Sequence, residues 1–525
     1  MTREASELAA PQEHHRFNVV LYWREALVLA LVAIVAAADL TAPTLGDQAL
    51  YLTYAKKLAA GGILYRDIWD IKQPGIFYFY LVAIRMFGQN AVSAHLLELI
   101  WMLGLALALQ IGLRPYFSHR WTKALVALPT VALYYAVSAP FLGQVEGLLA
   151  LPLFLTLWAL NTAARDQHRR SYALFLAGVA AGVVLCFKLV YAIVIAALYL
   201  TAVLDIVSRD NRRRLATIGL SLGLLVVGAL LPLAIVTSIT VSGSGVETFF
   251  QTTFVDPGRI LSGHPGAPAL RFFQSAAYFI KIFAPIIILA AAGGSAALYR
   301  RDRLLTQLLF AWLISGLVGI VVQTWSWWEH HFLLLWIPIG VLATKWIDVA
   351  LDWTARASGA KKQKTRVALV ALGVTLLFMP AAVQPATNVY LMIRTKEAPW
   401  TEAGRMKFQS RRSTLYRNAY DTTAFLRDPK SKQEPIFVCG SPVDYVLGDR
   451  AQGLSEDGYS LDLQLPEQWL QFTSEFDAKR PVFVYIEREC QTLLLQNSPG
   501  TIRILRQAYR VRQASADGSW YERLR

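Results

Sequence analysis

The sequence is poor in cysteine and in charged residues. It has three cysteines in 525 residues, which fits neither a disulfide scaffold nor a cysteine-based zinc site. Charged residues make up 17% of the chain, whereas soluble domains carry about 25%. The sequence also lacks a Walker loop, a Rossmann glycine fingerprint and a Gly-x-Ser-x-Gly elbow in a credible context. These absences argue against nucleotide hydrolysis and serine chemistry.

Hydrophobic residues are abundant instead. They account for 55% of the chain, and the mean hydropathy is +0.39. Long apolar runs recur throughout, which predicts a polytopic α-helical membrane protein. The net charge of +15 does not call for a nucleic-acid partner, because the cations cluster in short loops between apolar runs. Membrane orientation explains such clusters, since basic loops stay on the cytoplasmic side.

The apolar run Gly75–Phe87 decides the predicted orientation. It has roughly 13 residues, against the ~20 needed to cross a bilayer. If it does not span, every dense basic loop lies on the side of the N-terminus, as the positive-inside rule requires. We therefore predict about 11 transmembrane helices, with this run as an interfacial helix in the first outer loop. The predicted spans are Leu27–Ala38, Ala91–Leu113, Ala124–Val137, Val145–Ala164, Tyr172–Phe187, Leu189–Val207, Leu215–Thr240, Phe272–Leu298, Leu304–Gln323, Phe332–Ala350 and Val367–Val383.

The predicted organisation has three parts in the cytoplasmic (inner) membrane. Residues 1–24 form a cytoplasmic N-terminal segment, residues 25–384 the transmembrane domain, and residues 385–525 a small extracytoplasmic α/β domain in the periplasm or outside the cell. The N-terminus is expected in the cytoplasm and the C-terminal domain on the opposite side. The basic, polar segment Arg394–Arg412 is predicted to be a linker or mobile loop.

Composition changes in the C-terminal part. Pro435–Cys439 and Pro481–Ile486 have the short apolar pattern of buried strands. Asp517-Gly518 is typical of a tight hairpin turn. Cys439 and Cys490 both lie in this outer part, so a disulfide between them is possible, and the sequence leaves it open.

The loop after the first span concentrates charge at one membrane face. It contains Asp47, Asp67, Asp70 and Lys72 among aromatic residues, and such a stretch is costly to keep beside hydrocarbon. Asp47 could be a general base for a bound hydroxyl, or it could cap the helix predicted to begin there. Lys72 is expected at headgroup depth. It could neutralise a lipid phosphate there, or form a surface ion pair with Asp70.

Ionisable residues at later outer turns extend the candidate site. Glu146 and Lys188 lie next to spans, where such groups are functional by default, although they could simply pair with each other. His330 and His331, together with Glu329, suggest a metal site. Adjacent side chains on a helix point apart, however, so a shared metal ion needs a ligand from elsewhere.

Two more residues border this outer face. Trp328 belongs to a tryptophan-rich turn that could contact sugar or could be an interfacial belt. Arg271 ends the outer loop Val241–Arg271, which is rich in glycine and proline. That composition suits a mobile gating loop, with Arg271 as a possible phosphate partner, and it suits a plain surface loop equally well.

These residues resemble a known family. Two stretches, Gly46-Asp47-Gln48-Ala-Leu-Tyr51 and Tyr65-Arg66-Asp67-Ile-Trp69-Asp70-Ile-Lys72-Gln73-Pro74-Gly75, resemble the first outer loop of C-type membrane glycosyltransferases. The most similar group is the bacterial relatives of the dolichyl-phosphate-mannose protein mannosyltransferases and of the lipid A aminoarabinose transferase. Gln144-Val-Glu146, Phe187-Lys188 and His330-His331 are similar to later landmarks. The sequence departs from that group at Gln48, where the protein mannosyltransferases have Glu, and at Gln73, where Pro is usual.

The resemblance implies an inverting transferase that uses a polyprenyl-phosphate sugar donor at the outer membrane face. Asp47 matches the residue proposed as base, and Lys72 matches the lysine near the donor phosphate. We expect the donor phosphate to be bound by Lys72 with Lys188, Arg271 and His331. The residues expected to contact the substrates are Asp67, Asp70, Glu146, His330 and Trp328.

The remaining expectations concern cofactors and partners. No cofactor is predicted, and a divalent metal is possible but not favoured. Partners would be the lipid-linked donor, membrane lipids, and a lipid, glycan or protein acceptor, with no nucleic acid. The alternative function is a transporter or flippase of lipid-linked sugars. That alternative predicts charged or broken segments deep in corresponding spans of two halves, whereas the charges here gather at one face.

Overall fold

The computed structural model describes residues 22–209, 214–263, 266–298, 303–324, 326–356, 359–396, 400–428 and 434–524. Of the predicted N-terminal segment 1–24, residues 1–21 lie outside these ranges. The part before residue 396 is built from α-helices. Their bounds are α1 Trp23–Ala37, α2 Asp47–Ala59, α3 Pro74–Phe87, α4 Ala91–Leu113, α5 Arg120–Leu125, α6 Ala127–Tyr134, α7 Val145–Leu148, α8 Ala150–Arg165, α9 Arg170–Phe187, α10 Ala192–Arg209, α11 Arg214–Ser244, α12 Val246–Phe250, α13 Asp256–Gly263, α14 Ala269–Leu298, α15 Arg303–Val321, α16 Trp336–Ala355 and α17 Ala360–Thr395.

The helical membrane fold predicted from the sequence is confirmed. Within the described residues, eight helical stretches are long and apolar enough to cross a bilayer, and a ninth counts if α17 is one span bent by 51°. On α11 most of the apolar window is exposed, as expected for a helix that faces lipid tails. The 15-residue α1 covers the first predicted span except for its last residue, and the third predicted span is divided between α5 and α6. The exact count of eleven therefore stays a prediction.

The run Gly75–Phe87 forms the 14-residue helix α3, which begins at Pro74. Proline suits this first position because its missing N–H has no helical partner there. At such a length α3 is too short to span. It packs against α2, α4 and α9, and buries Ile76, Phe77 and Tyr80. The interfacial helix predicted in the first outer loop is thus present as a helix, and its packing fixes the charged loop that precedes it.

The C-terminal part is an α/β domain with a four-stranded sheet in the order β1-β2-β4-β3. Strands β1 and β2 are parallel, and β4 pairs antiparallel with both β2 and β3. Both predicted strands and the predicted hairpin are present. The elements are α18 Glu402–Arg412, α19 Thr414–Thr422, β1 Phe437–Cys439, α20 Val443–Gly448, α21 Pro466–Lys479, β2 Phe483–Glu487, α22 Arg488–Asn497, α23 Pro499–Ala508, β3 Tyr509–Ala514 and β4 Gly518–Arg523.

A disulfide joins Cys439 at the end of β1 to Cys490 in α22. It closes a loop between residues 51 apart in sequence. In the chain-entropy account such a loop contributes about 4 kcal/mol to stability. We expect a Cys439→Ser/Cys490→Ser variant to lower the melting temperature of the C-terminal domain, measured by differential scanning fluorimetry. The matched control is Cys186→Ser, which removes the buried free cysteine of α9. An equal melting temperature for the double variant and the wild type would contradict a stabilising role of the bond.

The C-terminal domain is attached to the membrane part through buried polar contacts. The carboxylate of Asp39, just after α1, accepts hydrogen bonds from Asn388 Nδ2 at 2.9 Å and Arg412 Nη1 at 2.7 Å. The domain boundary predicted at residues 384/385 lies inside α17, which continues to Thr395. The prediction of a linker or mobile loop over Arg394–Arg412 is wrong for its second half, because α18 forms there and its last residue enters this buried cluster.

Candidate active site

Helix α2 begins at Asp47, and the preceding residue Gly46 occupies the N-cap position. Gly46 has a φ of +52°, in the left-handed region that glycine adopts without steric cost. No side chain caps this end of the helix, so the carboxylate of Asp47 is not used as a cap. Its hydrogen-bond partner among the described residues is the hydroxyl of Tyr51, at 3.5 Å. The alternative interpretation of Asp47 as a helix cap is therefore not what the structure shows.

Asp70 and Lys72 form a pair beside this carboxylate. Lys72 Nζ lies 3.3 Å from Asp70 Oδ2, and the Lys72 backbone N–H donates to Asp70 Oδ1 at 2.9 Å. Asp70 is buried, while the Lys72 side chain keeps 29% of its surface exposed. Its ammonium group also lies 5.5 Å from the centre of the Tyr51 ring. The pair is therefore a partly buried feature that leaves the lysine accessible.

The environment keeps Lys72 protonated. Burial by itself lowers the pKa of this ammonium group, but the carboxylates of Asp70, Asp47 and Asp457 outweigh burial and hold the pKa above its usual value. Burial raises the pKa of Asp70, and the neighbouring Lys72 partly offsets the rise. Lys72 is therefore a fixed cation near Asp47, whose carboxylate does not cap α2. A fixed cation suits the stabilisation of developing negative charge on a bound ligand.

Close packing brings a second cluster next to this loop. A Cβ added to Gly75, at the start of α3, would lie 2.6 Å from the carbonyl oxygen of Cys186. Only glycine permits that approach between backbones. Because Lys188 follows Cys186 by two residues, the contact places the turn after Lys72 against the chain that carries Lys188.

Glu146 is the centre of the second cluster. Its Oε1 accepts hydrogen bonds from Lys188 Nζ at 2.7 Å and from the Tyr191 hydroxyl at 2.7 Å. The Nε2 atoms of His330 and His331 each lie 3.9 Å from one of its oxygens. Glu146 and His331 are buried. The alternative that Glu146 and Lys188 pair with each other is confirmed. Both histidines lie close to the same Glu146 carboxylate.

Glu146, His330 and His331 are grouped closely enough to share a metal ion, since their ligand atoms lie within 4.8 Å of one another. Glu146 supplies the third ligand that two adjacent histidines lack. The ammonium group of Lys188 already occupies one oxygen of Glu146 at 2.7 Å, and its positive charge opposes a second cation there. The group is equally suited to an anion that Lys188 and the imidazoles would contact.

The two clusters influence each other electrostatically. The charge of Asp47 acts on His330, and the charge of Glu146 acts on Tyr51. Gln48 fixes the intervening backbone, because its Nε2 donates to the carbonyl oxygens of Ala139, at 2.7 Å, and Leu142. The first outer loop and the later turns thus form one continuous polar region.

The other predicted residues lie at its margin. The Arg271 guanidinium stacks on the Trp328 ring, with 4.1 Å from Cζ to the ring centre, and Trp328 is 44% exposed. Asp67 is not brought into either cluster, because Arg66 Nη2 and the Ile63 N–H both donate to its Oδ2 at 2.8 Å. That these three residues contact substrate stays a prediction.

Sequence reasoning missed a contribution from the C-terminal domain. Residues 449–460, here named the capping segment, lie on α2 and on the loop after it. The main contacts are Lys56 Nζ to Asp449 Oδ1 at 2.8 Å, Lys57 Nζ to the Leu454 carbonyl at 2.6 Å, the Trp69 N–H to the Ser455 carbonyl at 3.1 Å, and the Tyr54 hydroxyl to Asp457 Oδ2. These contacts join residues about 400 positions apart in sequence, so no local pattern could have revealed them.

A separate cavity of about 540 Å³ lies in the C-terminal domain, between α19 and the ends of β1 and β2. It is lined by acidic residues that include Asp444, Glu487 and Asp517. None of the residues predicted for the active site lines it. We therefore place the candidate active site at the two clusters around Asp47 and Glu146, where two lysine–carboxylate pairs lie near the carboxylate of Asp47.

Glu146→Gln is expected to destabilise the protein. The change leaves the Lys188 ammonium group beside a neutral amide at a buried position, and breaking a buried pair costs about 3–5 kcal/mol, with less here because Lys188 is a quarter exposed. The measurement is the apparent melting temperature in detergent, with Lys188→Met and the double variant completing a cycle. Additive losses in that cycle would contradict a coupled pair.

Comparison with known proteins adds the following. Residues 72–235 match the family model described as Dolichyl-phosphate-mannose-protein mannosyltransferase, which covers about a third of the chain. No curated protein matches the sequence. The match begins at Lys72 and includes Glu146 and Lys188, whereas Asp47, Asp70 and the two histidines lie outside it.

Solved structures of ArnT share the fold. ArnT from Cupriavidus metallidurans bound to undecaprenyl phosphate superposes with a TM-score of 0.58 at 14% identity, covering 95% of this chain and 98% of that one. The apo state of ArnT from the same organism gives 0.58 at 13% identity, covering 96% and 97%. EmbB from Mycobacterium smegmatis gives 0.47 at 15% identity over 78% of this chain and 44% of that one. The ArnT structures thus confirm the predicted fold class over nearly the whole chain.

Proposed function

We propose that the protein is an inverting glycosyltransferase that moves a sugar from a polyprenyl-phosphate donor to an acceptor hydroxyl at the outer face of the cytoplasmic membrane. The observation that carries the proposal is that Asp47 and Lys72 both lie close to Tyr51. The Tyr51 hydroxyl is 3.5 Å from Asp47 Oδ2, and the partly exposed ammonium group of Lys72 is 5.5 Å from the centre of the Tyr51 ring. A general base for the acceptor and a cation for the leaving phosphate are two groups that sugar transfer from a phosphate requires.

The comparisons support a lipid-linked donor. Part of the chain matches a family described by dolichyl-phosphate-mannose, and a protein with the same fold has been solved with undecaprenyl phosphate bound. The spanning helices give such a donor a place for its tail in lipid. The disulfide between Cys439 and Cys490 supports a C-terminal domain outside the cytoplasm, because disulfides persist in oxidising compartments.

In the proposed reaction Asp47 takes the proton of the acceptor hydroxyl. The acceptor oxygen then attacks the anomeric carbon from the side opposite the phosphate, and a new carbon–oxygen bond forms as the bond to the phosphate oxygen breaks. The bonding electrons leave with the polyprenyl phosphate. Lys72 stabilises the additional charge on that leaving group, as preorganised donors do in a site shielded from bulk water.

The second cluster would bind the same phosphate or the sugar. Lys188 forms an ion pair with Glu146, so it is not a free cation. It would contribute to phosphate binding as part of a network with His330 and His331. Arg271, at the margin of the site, would contact the donor phosphate. A divalent metal ion is not favoured in the proposed step, because the ammonium group of Lys72 can stabilise the charge on the leaving phosphate.

The test is release of undecaprenyl phosphate by the purified protein in lipid nanodiscs. The donors are undecaprenyl-phosphate-linked aminoarabinose, arabinose, mannose, glucose and galactose, each with lipid A, a serine/threonine peptide or water as acceptor. We expect one donor to be consumed and its sugar to appear on one acceptor. No release from any donor, together with movement of donor between leaflets, would contradict the transferase and favour the transporter.

A further inference from the structure

The capping segment contains a carboxylate with a specific structural role. Asp457 is 2% exposed, and its Oδ1 accepts hydrogen bonds from the backbone N–H groups of Tyr459, at 2.8 Å, and Ser460, at 2.7 Å. Its Oδ2 accepts the hydroxyl of Tyr54. Since Tyr54 lies on α2, Asp457 ties the turn at residues 457–460 to the helix that begins with Asp47.

This turn places Tyr459 beside the candidate base. The Tyr459 hydroxyl oxygen lies 3.3 Å from the position that a Cβ would take on Gly46, the residue before Asp47. Tyr459 is 44% exposed, so part of this residue is accessible from outside the protein. A tyrosine ring offers a large apolar face against which a substrate can lie.

The position of Tyr459 in the C-terminal domain indicates which substrate it would contact. The polyprenyl tail of a donor must lie among the spanning helices, whereas Tyr459 belongs to the domain attached beyond them. The donor phosphate has its cation in Lys72, on the first outer loop itself. A molecule that reaches Asp47 past Tyr459 therefore comes from the outer side, as an acceptor hydroxyl would.

We propose that Tyr459 contacts the acceptor and helps to select it, and that Asp457 is the residue that positions it. This inference rests on the proposed function, because it assigns the acceptor side of the same site. It makes the C-terminal domain a part of the substrate-binding site in addition to its attachment through Asp39 and Arg412. The chemical class of ligand is a molecule with a free hydroxyl next to a surface that can lie against an aromatic ring.

Steady-state kinetics with two acceptors test the proposal. The donor and the acceptor are those that the wild type uses in the panel above, and water serves as the second acceptor for the same donor. We expect Tyr459→Ala to raise the acceptor KM about tenfold, while the donor KM and the rate of donor hydrolysis by water stay within about twofold. Tyr459→Phe, which keeps the ring, is expected to recover most of the loss. Tyr390→Ala, at another exposed tyrosine, is the matched control.

The positioning role of Asp457 has its own variants. Tyr54→Phe removes the hydroxyl that donates to Asp457, and we expect it to raise the acceptor KM with little change in the donor KM. Asp457→Asn is expected to raise the acceptor KM and also to change the donor KM, because the charge of Asp457 acts on Lys72. An unchanged acceptor KM in Tyr459→Ala, or an equal rise in the donor KM, overturns the assignment and leaves the transferase intact. A wild type that releases no undecaprenyl phosphate from any donor overturns the proposed function and this inference together.

Discussion

Asp47→Asn is expected to reduce sugar-dependent release of undecaprenyl phosphate by about 10³-fold, within the range typical for loss of a general base. The amide has nearly the shape of the carboxylate but cannot take the proton of the acceptor hydroxyl. Because Asp47 does not cap α2, the helix should form normally, and the melting temperature should stay close to that of the wild type. Turnover is measured with the donor and acceptor identified in the panel.

The control for this variant is Asp421→Asn, the same change at an exposed position on α19. Full activity of Asp47→Asn would remove Asp47 from the chemistry while leaving the transferase in place. A loss of activity accompanied by a lower melting temperature would show a structural role instead. The two readouts together therefore separate the base from a merely stabilising residue.

Lys72→Met is the second change with a large expected effect. Removing the ammonium group should lower kcat by about 10²–10³-fold, because charge on the departing phosphate loses its stabilising partner in the transition state. The donor KM should also rise, since the same group attracts the phosphate in the ground state. Stopped assays of undecaprenyl phosphate release at varied donor concentration give both constants. Lys479→Met, at a surface lysine that is half exposed, is the control.

A second variant distinguishes phosphate binding from a structural explanation. Lys72→Met leaves Asp70 buried without its ammonium partner, although the bond from the Lys72 backbone N–H remains possible. Lys72→Met/Asp70→Asn removes that unpaired charge as well. If the double variant regains activity, the loss came from the buried carboxylate. If it stays inactive, Lys72 acts on the donor as proposed.

Much of the membrane part could be predicted from the sequence because its signals are local. Apolar runs of sufficient length predict spans wherever they occur, and the short run after Pro74 correctly predicted the short helix α3. The hairpin in the C-terminal domain was also predictable from Asp517-Gly518, although residues 515–517 form the connection and Gly518 is the first residue of β4. The pairing of Glu146 with Lys188 was one of two alternatives that the sequence left open.

The contacts between distant segments could not be predicted in this way. Asp457 carries no motif, and its role depends on Tyr54, some 400 residues earlier. The segment Arg394–Arg412 was misjudged because its charges suggest solvent, whereas Arg412 is buried against Asp39. In each case a polar residue is buried because a partner from elsewhere in the chain satisfies it, and sequence alone does not show which partner that is.

The contact of Asp39 with Asn388 and Arg412 also constrains how the protein can be made. Asp39 is synthesised 349 residues before the first of these partners and 373 before the second. During translation it must therefore reach the membrane surface without them, and an unpaired carboxylate stays at the water side until the chain is nearly complete. Helix α1 itself packs against α4, α5 and α6, which are made early. The pairing of Asp39 with Arg412 would thus be one of the last contacts to form in biogenesis.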